Sequence, residues 1–331
     1  MYVVGFTDSS DFPITANAYA GTLQDRDAFV SVLDTSKSGA ASLVYSTFYG
    51  GTGADEGYAI AVANGIIYFA GTTLSTNLPL KNAVRTTFAG GTGYGDVFAA
   101  KLDPSLTGTN QLLFATYLGG SEDDFPAGVA PSGTEYMYVT GITGSSDFPT
   151  AGVSTSFGGG NSDAFLAKLD VVTPTSLVYS RFVGGNGKDG LRDVVVDRQD
   201  NTYVAGHTGS SNFQTVNPLQ TTFKGGAVIS TDSWWLTSRA NSDVLVAKFD
   251  PTGTMIFGTF LGGTGAEGAM GIRLGTDGKV YVAGGTRSTD FGTTANAYQA
   301  ANAGTYDAFI VSIGGLAPPP ASGLYLPLIL R

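Results

Sequence analysis

Apolar residues along this chain recur in short runs bounded by Gly-, Ser-, Asn- and Asp-rich stretches, the pattern of many short strands joined by turns. One run is Tyr58–Val62, matched by Asp193–Val196 and Met270–Leu274. A third copy near Ala127–Ala130 reads as degenerate. This strand A turns through Asn64-Gly65, Asp200-Asn201 or Asp277-Gly278, pairs that tolerate the positive φ of a tight hairpin. Strand B follows as a Tyr-Val-x-Gly segment ending at Gly5, Gly71, Gly141, Gly206 and Gly284. A polar connection of roughly 20 residues, longer than a usual hairpin loop, leads to strand C. That strand opens on Asp27, Asp96, Asp163, Asp243 or Asp307. Strand D is aromatic and ends in Gly-Gly at Gly51, Gly120, Gly185 and Gly263.

The recurrence marks one supersecondary unit copied along the chain. In strand C, Phe165, Ala167 and Leu169 alternate with Ala164 and Leu166, so both faces are apolar and both require cover. One four-stranded sheet cannot supply that cover, whereas neighbouring copies arranged radially can. The expected fold is therefore all-β, a β-propeller of four-stranded antiparallel blades. Five repeats begin near residues 1, 52, 121, 186 and 264 and fill residues 1–314. They make either a five-bladed ring or part of a larger one, since strands A and D each occur four times and the chain starts in mid-repeat. Helix is expected only as short turns in the B–C loops. Residues 315–331 form a Pro-rich linker and a short apolar tail, Leu324 to Leu330, which reads as a strand added to the last blade or else resembles the short terminal tails of some secreted bacterial proteins.

The stretches Gly141 to Pro149, Asp163 to Asp170 and Leu177 to Gly185 resemble the bacterial SBBP repeat, a seven-bladed β-propeller repeat. The likeness runs over nearly all of Tyr2 to Ile313. It implies a propeller on secreted or surface-exposed bacterial proteins and brings no catalytic residues with it. An extracellular or cell-surface location is the corresponding expectation. No signal peptide is visible, which fits a chain whose N-terminal portion is missing.

Composition narrows the function. Only 13% of the 331 residues are charged, 48 are Gly and the net charge is −10. There is no basic stripe for nucleic acid, no attraction to anionic lipid and no apolar run of about 20 residues to span a bilayer. Without cysteine, neither a disulfide nor a thiolate metal site can form. Two Gly-x-Gly-x-x-Gly matches, from Gly185 and from Gly263, lack the following helix that a dinucleotide site needs.

Candidate chemistry lies in acids and in one irregular loop. Asp55 with Glu56, Asp123 with Asp124, Asp189 and Glu267 fall at equivalent positions just before strand A. On an innermost strand they would rim a channel mouth and offer oxygen ligands to calcium, although solvated acids that keep the surface soluble explain them more simply. No other cofactor is expected. The strand-C aspartates recur in all five copies and read as caps on the preceding turn. His207 is the single histidine, at a position the other copies fill differently, and reads as a surface residue; a ligand contact is the rival reading. The fourth B–C loop is enlarged, from Gly226 to Asp243 where the second copy runs from Gly91 to Asp96. It carries Trp234, Trp235 and Arg239, suited either to stacking on a sugar or to anchoring the loop. The expectation is a monomeric, non-enzymatic binding scaffold for glycan, extracellular protein or matrix. A glycan hydrolase or lyase using channel-mouth carboxylates and a spacer of a larger adhesin are the alternatives.

Overall fold

The computed structural model describes residues 1–153, 155–173, 177–225 and 242–316. It is all-β, with five antiparallel sheets of propeller-blade type and none closed into a barrel. The chain separates into two compact units, Met1–Leu191 with Ser210–Phe213, and Arg192–Gly209 with Gln214–Arg331.

The first unit holds three sheets. Sheet one is β1 (Tyr2–Thr7), β2 (Asp27–Leu33) and β3 (Leu43–Tyr49). Sheet two is β4 (Asp55–Ala63), β5 (Ile66–Thr73), β6 (Asp96–Leu102) and β7 (Leu112–Leu118). Sheet three is β8 (Asp124–Ser132), β9 (Tyr136–Thr143), β10 (Asp163–Asp170) and β11 (Leu177–Val183). The second unit carries the sheet of β12 (Asp189–Val196), β13 (Thr202–Thr208), β14 (Asp243–Phe249) and β15 (Met255–Leu261), although the leading residues of β12 up to Leu191 count with the first unit. Its last sheet is β16 (Glu267–Leu274), β17 (Val280–Thr286) and β18 (Asp307–Ile313). Among the described residues the first sheet thus has no strand A and the last no strand D, in keeping with the repeat count.

The two-sided apolar pattern is used as expected. Along β6, Phe98, Ala100 and Leu102 join a core cluster with Ala28, Val30 and Tyr49 of the sheet before. The alternate residues Val97 and Ala99 join a second cluster with Phe165, Ala167 and Leu169 of the sheet after. In the second unit Val244 and Val246 pack with Ile272, Val282 and Phe309.

The glycine of Tyr-Val-x-Gly has a geometric cause. Gly71 pairs across the sheet with Phe98, and Gly141 with Phe165. A Cβ on Gly71 would lie 2.1 Å from the Glu56 carbonyl and 2.5 Å from the Phe98 ring, so the ring can rest there only on a bare backbone. On the other side, strand A bulges between Gly57 and Ala59 and pushes that carbonyl toward the glycine.

Two expectations need correction. The third strand A is not degenerate: β8 is a nine-residue strand. Pro126 and Pro131 disguise it in the sequence, but β8 lies at the edge of its sheet, where a missing N–H is tolerated. The helical turns among the described residues, Gly39–Ser42 and Gly108–Gln111, sit in C–D connections and not in B–C loops.

Candidate functional site: paired carboxylates between blades

Each Gly-Gly turn leaving strand D is closed by the B–C connection of the next blade. Asn77 Oδ1 accepts from the Thr52 amide at 2.9 Å, and Ser75 Oγ accepts from the Gly53 amide at 2.8 Å. The same two bonds recur as Asp147–Ser121 and Ser145–Glu122, Asn212–Asn186 and Ser210–Gly187, and Asp290–Thr264 and Ser288–Gly265. Beside each Asn or Asp, the apolar residue (Leu78, Phe148, Phe213) plugs into the interior. The Ser-x-Asn/Asp-apolar stretch is therefore a clasp on the turn.

The turn delivers the chain to strand A, and the acid that opens that strand is buried. Asp55, Asp124 and Asp189 are fully buried, as is nearly all of Glu267. These residues do not sit on a solvated turn, which corrects the reading of them as surface acids. Asp55 Oδ2 accepts from the Gly51 amide and the Ser75 hydroxyl, both at 2.7 Å. Asp124 repeats this with Gly120 and Ser145, and Asp189 with Gly185 and Ser210.

The strand-C aspartates cap the preceding loop as expected. Oδ2 accepts a backbone amide from Gln24 in Asp27, Ala89 in Asp96, Gly158 in Asp163, Lys224 in Asp243 and Ala303 in Asp307. They also meet the strand-A acids of the next blade. The Asp55 amide donates to the carbonyl of Arg26, the residue before Asp27, at 2.7 Å; Asp124 does the same to Gly95, Asp189 to Ser162 and Glu267 to Ser242. The two side chains then converge on the first glycine of the turn. A Cβ on Gly50 would lie 2.1 Å from Asp27 Oδ1 and 2.7 Å from Asp55 Oδ2. On Gly119 the corresponding distances are 2.5 Å to Asp96 and 2.8 Å to Asp124. Only glycine fits between such a pair.

Burial dominates the electrostatics. Loss of hydration pushes Asp55, Asp96 and Asp243 up to about 6 and Asp124 and Asp163 up to about 7; Asp27 also rises. The partner's charge adds to the rise: Asp27 acts on Asp55, Asp96 on Asp124, Asp189 on Asp163 and Glu267 on Asp243. The second oxygen, Oδ1, of Asp27, Asp55, Asp96 and Asp124 is buried without a hydrogen-bond partner. Glu267 departs from the pattern. Its extra methylene lets one oxygen take the Gly263 amide and the other the hydroxyls of Thr286 and Ser288.

The remaining proposed ligands go elsewhere. Glu56 accepts from Arg26 at 2.8 Å and also from the Tyr58 hydroxyl. Asp123 Oδ1 gathers the amides of Gly93, Tyr94 and Gly95, fixing the preceding blade's B–C loop. Asp55, Asp124, Asp189 and Glu267 belong to four separate pairs, and among the described residues no three acids or histidines converge. His207 is not a surface residue: it is a buried position of β13, paired with Val244. Trp234, Trp235 and Arg239 lie outside the described residues, as does the tail from 317.

Sequence reading missed the pairing itself and the serines at 75, 145, 210 and 288. The signal was present: the acid four residues beyond Gly-Gly and the Ser two residues before Asn or Asp recur together in four copies.

No protein-family model matches this chain, and no curated protein matches it. The likeness to the SBBP repeat rests on the motif residues quoted above.

Proposed function

We propose that the protein is a non-catalytic propeller-type scaffold, secreted or cell-surface, that displays its B–C loops to a glycan, an extracellular protein or matrix. The observation that carries this reading is the use made of the repeat's acids. The paired carboxylates are buried, hold turns and strand starts, and are out of reach of a sugar. A glycoside hydrolase needs two carboxyls at an accessible cleft, and these pairs do not provide one. What varies between copies is the B–C connection, longest between Thr208 and Asp243, and loops on a rigid scaffold are where binding residues concentrate. The fifth such loop carries Tyr298, fully exposed. No helix among the described residues is long and apolar enough to cross a membrane.

The test is an array of polysaccharides and matrix proteins, probed with the whole chain and with a variant lacking Val228 to Ser238. Binding by the parent that drops at least tenfold in the variant, with unchanged thermal stability, supports display from the fourth loop. Equal binding by both moves the site to another loop, and hydrolysis of an array member overturns the non-catalytic reading.

A further inference from the structure

We propose that the junctions Asp27–Asp55 and Asp96–Asp124 each bind a divalent hard cation of the calcium type between their two carboxylates. This inference is independent of the display function. It begins with four oxygens: Oδ1 of Asp27, Asp55, Asp96 and Asp124 is buried in each case and has no hydrogen-bond partner. All four residues are at most 1% exposed. A buried polar atom needs a partner, and a buried ionised carboxylate needs one far more.

The geometry raises the demand. Within each pair, the unpartnered Oδ1 of Asp27 or Asp96 and the hydrogen-bonded Oδ2 of Asp55 or Asp124 approach the same point beside Gly50 or Gly119, at 2.1 and 2.7 Å or at 2.5 and 2.8 Å. Two carboxylates this close do not both ionise without a counter-charge. At the first junction no basic group supplies it. Arg26 is turned to the surface, where Asp8 and Glu56 take its guanidinium, and the nearby Asp25 adds a further negative charge. At the second junction Arg85 is near enough to draw Asp96 downward, while Asp147 acts against it. One proton would cancel one charge of each pair and leave the other in a dry interior. A divalent cation cancels both and gives a partner to Oδ1 of Asp27 and of Asp96, which lie at the point where the pair converges.

Calcium takes six to eight oxygens at about 2.3–2.6 Å and tolerates irregular geometry, with backbone carbonyls and water completing the shell. The Oδ2 atoms, already engaged by amides and hydroxyls, hold the carboxylates in place, as the outer partners of metal ligands do. The third pair, Asp163–Asp189, has the same composition. The fourth, with Glu267 satisfied through both oxygens, is the expected exception.

The experiment uses the whole chain, stripped with chelator and dialysed, and titrated calorimetrically with CaCl2. Bound calcium is counted by elemental analysis. The expected result is saturable uptake of at least two ions per chain and a thermal midpoint that rises with calcium. The count should fall by one in Asp55→Asn, by one in Asp124→Asn and not at all in the surface variant Asp103→Asn. In case an Asn variant fails to fold, Tb3+ is added to the unaltered protein. Tyr49, which precedes Gly50, should then sensitise terbium emission that calcium displaces. Overturning results are no uptake and no thermal shift at about 5 mM calcium, above the roughly 0.1–1 mM Kd range of extracellular calcium modules; an ion count unchanged in both folded variants; or no sensitised emission.

Discussion

The hydroxyl of Ser75 donates to Oδ2 of Asp55 at 2.7 Å, joining a blade's B–C loop to the first residue of its own strand A. The bond recurs as Ser145–Asp124 at 3.1 Å and Ser210–Asp189 at 2.6 Å. Each serine also accepts the amide of a turn residue, from Gly53, Glu122 or Gly187. One hydroxyl therefore holds the loop, the turn and the buried acid together. Replacing Ser145 by Ala should cost about 1–3 kcal/mol, the range for stranding a buried partner. Ser105→Ala, which removes an exposed contact to Asp103, should cost less than about 0.5 kcal/mol. Urea unfolding of both variants checks this, and equal effects would contradict it.

The glycine between each pair has no room for a side chain. Gly50→Ala would place Cβ 2.1 Å from Asp27 Oδ1, and Gly119→Ala 2.5 Å from Asp96 Oδ1. Each should lose about 2–4 kcal/mol through overpacking and displacement of a buried carboxylate. Gly21→Ala, with nothing within 4 Å, should remain within about 0.5 kcal/mol of the parent. Thermal melts that rank Gly21→Ala with the other two would refute the close approach.

Most of the fold could be read from the sequence, because its period fixes equivalent positions and its alternation fixes faces. The aromatic strand D expected before Gly184-Gly185 is observed as β11, Leu177–Val183. The bare glycine of Tyr-Val-x-Gly is explained by Phe98 and its equivalents, which the same repeat supplies. Three things were hidden for physical reasons. Periodicity shows that Asp27 and Asp55 each recur, but not that one blade's strand C lies beside the next blade's strand A, since that contact joins different repeats. Acids on Gly-rich turns are ordinarily exposed, so the sequence favoured solvated residues, whereas the turn here is folded over by the B–C loop. The prolines of β8 masked a regular edge strand for a third reason: propensity describes central strands better than edges.

The buried acids reverse the usual pH response in cation-free protein. Asp55, Asp96, Asp124, Asp163 and Asp243 have folded values of about 6 to 7 against 3.8 for the free side chain. Between those values the folded state binds more protons than the unfolded state, so stability falls as pH rises from about 4 to about 7. Below about 4 both states are protonated and this contribution is constant. Asp147 and Asp290, held low by turn amides, act in the opposite sense and lose their contribution only as pH falls below about 4. In chelator, the thermal midpoint at pH 5 should exceed that at pH 7.5 by several degrees. A midpoint that rises steadily from pH 5 to 7.5 would contradict the burial of these groups.

The most direct measurement is the titration of the Asp124 side-chain carboxyl carbon by 13C NMR in cation-free protein. Burial between Asp96, Gly120 and Ser145 sets its midpoint at about 7. A midpoint near the ordinary 3.8 would mean that the carboxyl meets water and that the blades are not joined through paired acids.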